Sequence, residues 1–228
     1  MPRTARLAPG DVVFHVLNRF NARARLLITP ADFALLLQVL VDTAAAIPMR
    51  LLAYGLMPSH WHLVLWPWED GDLGRYMLRL TTTHARRWHL ERGTVGEGHL
   101  YQGTYKSFPG QEDGHSLTVC RYVEPNPVRA GLRRAKEWPW SSLGARCSPA
   151  GGAGYPQLHE WPVRCPSDWE EWVNLAHSAT ELGALRLSVV RGRPYGDAHW
   201  QERTGKLLGL GATFRGPGRP RKEITGDA

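Results

Sequence analysis

The clearest alternation of apolar and polar positions lies in the first two-thirds of the chain. Asp11-Val12-Val13-Phe14-His15-Val16-Leu17-Asn18-Arg19 is β-branched and partly alternating, which predicts a strand. A basic loop with Arg23 and Arg25 follows. Thr29-Pro30-Ala31-Asp32 has the features of a helix start: a Thr cap, a Pro at the first helical position and an acid in the first turn. Phe33, Leu36, Leu37, Leu40 and Val41 continue at helical spacing, and Pro48 closes the segment. Two apolar runs, 49–56 and 60–67, flank the turn Met57-Pro58-Ser59 and predict a hairpin. A second helix is expected over Leu73–Arg92, with Leu73, Tyr76, Met77 and Leu80 on its inner face and Gly93 ending it. Its histidines, His84 and His89, read as surface residues. A short strand at 104–108 and a third helix at 111–124 complete this part, the helix stopped by Pro125 and Pro127.

The order β-α-β-β-α-β followed by a helix is the plan of an α+β, ferredoxin-like split βαβ fold with an antiparallel sheet. The two crossover helices would cover one face. The other face stays open to a further helix or to nucleic acid. The hairpin is expected to be the central pair of the sheet, with the third helix laid across its open face.

Beyond Gly131 the texture changes. Trp138-Pro139-Trp140-Ser141-Ser142 reads as an aromatic turn anchoring a junction, and 148–156 as a Gly/Pro/Ala-rich linker. Helices are expected from about 167, over 180–190 and over 197–208, followed by a basic Gly/Pro tail. The division is therefore a main domain at 1–147, which the resemblance given below would make the catalytic one, a small C-terminal α-helical extension at 148–212 that either binds DNA or packs on the domain, and a flexible tail at 213–228.

Charge changes this picture. The net charge is +7 over 228 residues, which points to a polyanionic partner. Arginine supplies nearly all of it; the lysines are Lys106, Lys136, Lys206 and Lys222. Arginine's planar fork suits phosphates and base edges, although a codon bias would give the same ratio. Three cysteines without CxxC spacing argue against a disulfide framework and a zinc ribbon, and fit a reducing cytosol. No apolar run approaches the ~20 residues of a membrane span.

The chemistry concentrates at two places. In a strand, His60 and His62 point to one face and Trp61 and Leu63 to the other. Two imidazoles on a rigid support can hold a metal if a third ligand joins them. The second place is Arg121-Tyr122-Val123-Glu124-Pro125-Asn126. If the helix continues, Tyr122 and Asn126 fall on nearly the same side, which offers a phenol and an amide oxygen together. By spacing alone, a core tyrosine and a helix-capping asparagine are the favoured reading.

Tyr54-Gly55-Leu56-Met57-Pro58-Ser59-His60-Trp61-His62-Leu63 resembles the HUH signature of the IS200/IS605-type single-tyrosine transposases, and most closely the REP-associated tyrosine transposases. Phe14–Arg19, Gly98–Ser107, Arg121–Leu132 and Glu137–Ser142 support this in the same order and spacing. The resemblance is strongest over about 8–145, while 191–196 and 218–222 also look like that branch's C-terminal region.

What the resemblance implies is metal-dependent cleavage and rejoining of single-stranded DNA, at hairpins of REP type, through a covalent 5′-phosphotyrosine. Tyr122 would be the nucleophile. His60, His62 and Asn126 would hold Mg²⁺ or Mn²⁺, and no small-molecule cofactor would be needed. Arg19, Arg23, Arg25, Arg79, Arg86, Gln102, Lys106 and Arg129 are candidates for DNA contact. Arg219 and Arg221 join them because the tail resembles an AT-hook. The protein would act in the cytoplasm at the nucleoid, with no membrane partner, as a monomer in preference to a dimer. The alternative is the same fold kept as a hairpin-binding regulator that does not cleave.

Overall fold

The computed structural model describes residues 7–124, 138–146 and 155–216. Its centre is a four-stranded antiparallel sheet of β1 (Val13–Arg19), β2 (Arg50–Met57), β3 (His60–Trp66) and β4 (Lys106–Gly110), in the order β2-β3-β1-β4. This is the split βαβ arrangement expected from the element order. One expectation is corrected. The central pair is β3 with β1, not the β2–β3 hairpin, and β2 lies at one edge of the four. β2 is buried along its whole length nonetheless, because later chain covers that edge. Leu56 N–H donates to Trp140 O at 2.9 Å, the Trp138 indole N–H to Leu56 O at 2.9 Å, and Gly55 bridges Ser141. A continuous apolar run therefore signals burial on both faces and says nothing about strand position.

Helices α1 (Pro30–Ala46) and α2 (Asp72–Arg92) lie on one face. α1 starts at a complete capping box: Thr29 Oγ1 accepts from Asp32 N–H, and Asp32 Oδ2 from Thr29 N–H at 2.7 Å. Phe14, Val16, Tyr54, Trp61, Leu63 and Leu65 meet Phe33, Leu36, Leu40, Tyr76, Met77 and Leu80 in this core. The opposite face carries Val13, Leu52, Val64 and Phe108. There α3 (Gly114–Val123) lies across it through Val119, Cys120 and Val123. The alternation of each strand thus feeds two different cores.

The C-terminal extension packs on this second face. α4 (Ser142–Arg146) precedes it, and its own helices are α5 (Trp169–Asn174), α6 (Ala179–Arg191) and α7 (Ala198–Leu207). Trp169, Val173 and Leu185 join the core under α3. Residues after α6 guard the far edge of the sheet: Tyr195 N–H donates to Pro109 O, and Gln111 N–H to Tyr195 O, both at 2.9 Å. Trp140 stacks on Phe33, with ring centroids 4.9 Å apart, and anchors the junction as expected. His84 departs from expectation. It is fully buried against Tyr101 on the inner face of α2. No described helix is long and apolar enough to cross a membrane. Cys120 and Cys165 are free thiols.

Candidate active site

β3 presents His60 and His62 on the α3 face and Trp61 on the other, as the strand period dictates. The two imidazole centroids are 5.1 Å apart. The Nδ1 side of each ring is turned to a partner. His60 Nδ1 lies 3.0 Å from Ser59 Oγ, and His62 Nδ1 lies 2.8 Å from His15 Nε2. These contacts fix both ring orientations.

His15 is the residue that the sequence reading passed over. It sits on β1, where its neighbour Leu17 pairs with His62 in register. It is buried and stacks on Phe108 at 4.7 Å. Burial pushes its pKa down to about 3. Burial also lowers His60 to about 4, with the nearby Arg19 charge adding to the effect. Both rings are neutral at neutral pH, the state in which an imidazole can coordinate a cation.

α3 brings Tyr122 to the same place. Its ring lies 6.1 Å from that of His62 and 6.1 Å from that of His15, both nearly edge-on. His177, in the turn between α5 and α6, approaches Tyr122 from the other side at 6.2 Å. The close seating of α3 depends on Gly55. This β2 residue pairs with His62, and a Cβ there would stand 2.8 Å from Val123 O. Only glycine lets the end of α3 rest on the β2 backbone.

The end of α3 is held by polar contacts. Glu124 is completely buried. Its Oε1 accepts from Ser142 Oγ at 2.6 Å and its Oε2 from the Trp169 indole at 2.7 Å. Burial raises the carboxyl pKa, while the Arg146 guanidinium and these hydrogen bonds pull it back. Arg121 donates to Leu175 O and Ala176 O at 3.1 and 3.0 Å.

At the end of β1, where Arg19 pairs with His60, opens a cleft of about 320 Å³ lined by Arg19, Arg23, Gln102 and Lys106 with Leu17 and Thr104. Four of the expected DNA-contacting residues therefore converge. Gln102 is carried there by its N–H bond to Arg19 O at 3.0 Å. Ala22 and Arg23 both have positive φ, near 52° and 56°, a strained turn that sets Arg23 at the cleft. The structure does not bring the others together. Arg25 lines a separate hollow beside Trp88 and Arg92. Arg79 and Arg86 are exposed on α2, on the far side of the sheet from the histidines. Asn126, Arg129, Arg219 and Arg221 lie outside the described residues.

Among the described residues, no group of three or more His, Cys, Asp and Glu side chains is placed to hold a metal ion. The donor chemistry is two imidazoles, which suits part of a divalent coordination shell. A hard ion such as Mg²⁺ would need oxygen donors for the rest.

No curated protein matches the chain. A solved structure of a REP-associated tyrosine transposase bound to a REP hairpin aligns with a TM-score of 0.52 at 19% identity, over 73% of this chain and all of that one. A provisional transposase of Deinococcus radiodurans R1 aligns over 58% of this chain and 98% of its own at 18% identity, with a TM-score of 0.36. The first shares the fold described above. Residues 10–126, just over half of the chain, match the family model for IS200-like transposases. A split βαβ sheet that sets a histidine pair under a helix-borne tyrosine is thus accompanied by a family-wide sequence match, and the chain belongs to the IS200-like transposases.

Proposed function

We propose that this transposase cleaves and rejoins single-stranded DNA at hairpins of REP type through a covalent 5′-phosphotyrosine on Tyr122. The observation that carries the reading is the approach of Tyr122 to the His60–His62 pair, 6.1 Å between the Tyr122 and His62 rings, from a separate element on the same face of the sheet. The hairpin substrate is suggested by the fold neighbour, which is bound to a REP hairpin.

The chain's residues divide the work. Tyr122 hydroxyl attacks the scissile phosphorus in line. Its proton leaves as the O–P bond forms, and the departing 3′-oxygen takes one up. Return attack by a 3′-hydroxyl on the tyrosyl ester rejoins a strand, so no nucleotide cofactor is consumed. His60 and His62, with Asn126, would hold Mg²⁺ or Mn²⁺, which when bound orients a phosphate oxygen and offsets developing negative charge. His62 would then coordinate through Nε2, keep its proton on Nδ1 and donate it to His15 Nε2, which explains the placement of His15. Arg19, Arg23, Gln102 and Lys106 line a path for the unpaired strand up to the histidines. Arg129, Arg219 and Arg221 remain DNA contacts on grounds of resemblance, and Arg25, Arg79 and Arg86 are placed apart from this path.

The packing of the extension on α3 of its own chain favours a monomer acting in cis. It also favours a structural role for 148–212 beside a catalytic unit at 1–147 and a tail at 213–228. Action at the nucleoid in the cytoplasm follows from the DNA substrate.

The test is incubation of the full chain with labelled single-stranded hairpins and Mg²⁺ or Mn²⁺, followed by a denaturing gel. A shifted covalent band that disappears with Tyr122→Phe is expected. Hairpin binding without any adduct under either metal would replace this reading with that of a non-cleaving regulator.

A further inference from the structure

We propose that Glu124 is a positioning residue for Tyr122, and that it acts by tying the end of α3 to the C-terminal extension. This deepens the reading above and rests on it.

Glu124 follows Tyr122 by two residues and caps α3. It has no exposed surface, and a carboxylate in such a place is costly unless both oxygens are engaged. Here they are engaged by different elements. Oε1 takes the Ser142 hydroxyl proton at 2.6 Å and faces Arg146 Nε at 3.5 Å, both on α4. Oε2 takes the Trp169 indole proton at 2.7 Å, on α5. Each partner is itself fixed. Ser142 Oγ accepts from Tyr54 N–H at 3.0 Å, next to Gly55 and therefore next to the strand position opposite His62. Arg146 donates to Leu52 O at 2.6 Å and lies over the Trp161 ring. Trp161 donates to the same carbonyl at 3.0 Å.

The geometry makes a frame. The β2 strand that pairs with the histidine strand is linked through Ser142 to Glu124, and Glu124 through Trp169 to α5. On the other flank of Tyr122, Arg121 grips the end of α5 through Leu175 O and Ala176 O and lies over Trp172. An apolar side chain at 124 would fill the same space with less desolvation cost, but it would not fix the rotation of the helix end. Two directional bonds to two elements do fix it. The Glu124 carboxylate is engaged by Ser142, Trp169 and Arg146 and not by the histidines, so its effect on the reaction passes through Tyr122.

The experiment uses the full chain, a labelled hairpin and Mn²⁺, and measures hairpin affinity and the rate of adduct formation at saturating hairpin. Trp169→Phe keeps an aromatic side chain and removes the N–H donated to Oε2. Ser142→Ala removes the O–H donated to Oε1. Each is expected to slow adduct formation about ten-fold or more while hairpin affinity stays within about two-fold, since a small misplacement of a reacting group costs rate before it costs binding. Glu124→Gln, which keeps one acceptor oxygen and the shape, is expected to retain more activity than Glu124→Ala. Wild-type adduct rates in both Trp169→Phe and Ser142→Ala would overturn the role of Glu124 and leave the proposed function standing. Equal losses of affinity and rate would also overturn it, because they mark general loosening of the fold. A wild-type chain that forms no adduct would overturn both.

Discussion

Gly55→Ala tests the seating of Tyr122 with one methyl group. The new Cβ would stand 2.8 Å from Val123 O, where an ordinary contact begins at 3.4 Å, so α3 must recede by about 0.6 Å. Neither side yields easily. Gly55 is held in the β2–β3 ladder opposite His62, and the carbonyl belongs to the last turn of α3. Overpacking of this kind costs about 1–3 kcal/mol. For a chain of this size that lowers Tm by roughly 2–12 °C. The shift falls one residue after Tyr122, and displacement of a nucleophile by the order of 1 Å costs about 100-fold in rate. Adduct formation should therefore fall by about 10- to 100-fold. Hairpin affinity should hardly move, because the basic cleft lies at the β1–β4 end of the sheet. The assays are a thermal melt, hairpin titration and single-turnover adduct formation. Wild-type rates together with a wild-type Tm would show that α3 does not press on β2 at Gly55, and the derived site geometry would be wrong.

Three further outcomes follow from the same contacts. His15→Phe should keep the stacking on Phe108 but leave His62 Nδ1 without its 2.8 Å partner, and the Mn²⁺ concentration needed for cleavage should rise about 10- to 100-fold; an unchanged metal titration would remove His15 from the site. Arg23→Gln and Lys106→Gln should each flatten the salt dependence of hairpin binding by about 0.7 in log–log slope, while Arg79→Gln on the far layer should not; equal slopes for all three would refute the cleft as the DNA path. His84 is held neutral by burial, its pKa lowered from 6.5 to about 3, so on acidification the unfolded chain takes up a proton that the folded chain refuses. Its contribution to stability is complete above 6.5 and is lost as pH falls toward about 3, a loss of about 2 kcal/mol by pH 5. His84→Gln should flatten the urea-denaturation profile between pH 8 and 5 by about that amount, and an unaltered profile would contradict the burial.

The sequence carried the local chemistry well and the partners of that chemistry less well. The Thr29–Asp32 cap, the hairpin turn and the His60/His62 face all follow from rules that act over a few residues. His15 needed more. Its alternation in β1 is plain, but its contact with His62 depends on the β1–β3 register, which no short stretch encodes. His84 was within reach: it falls four residues after Leu80 on the apolar stripe of α2, and the polar name of the residue concealed the periodicity. The central position of β1 was hidden for a different reason. Both it and β2 are buried on two faces, and what distinguishes them is chain nearly a hundred residues away, such as Ser142 against Tyr54. A long separation in sequence likewise hid the docking of α5 on α3.

That covering chain has a consequence for the region that defines the family. The matched stretch, 10–126, holds all four strands but neither of their edge guards. Trp140 and Ser141 close the β2 side, and Tyr195 closes the β4 side. Cut at 126, the sheet would offer two rows of unpaired peptide groups, one of them along the largely apolar β2 segment, as templates for another copy. On this ground the later third of the chain should shield the sheet edges from other copies as well as brace the sheet. Excising the family unit alone would yield aggregates in a light-scattering assay where the full chain stays dispersed.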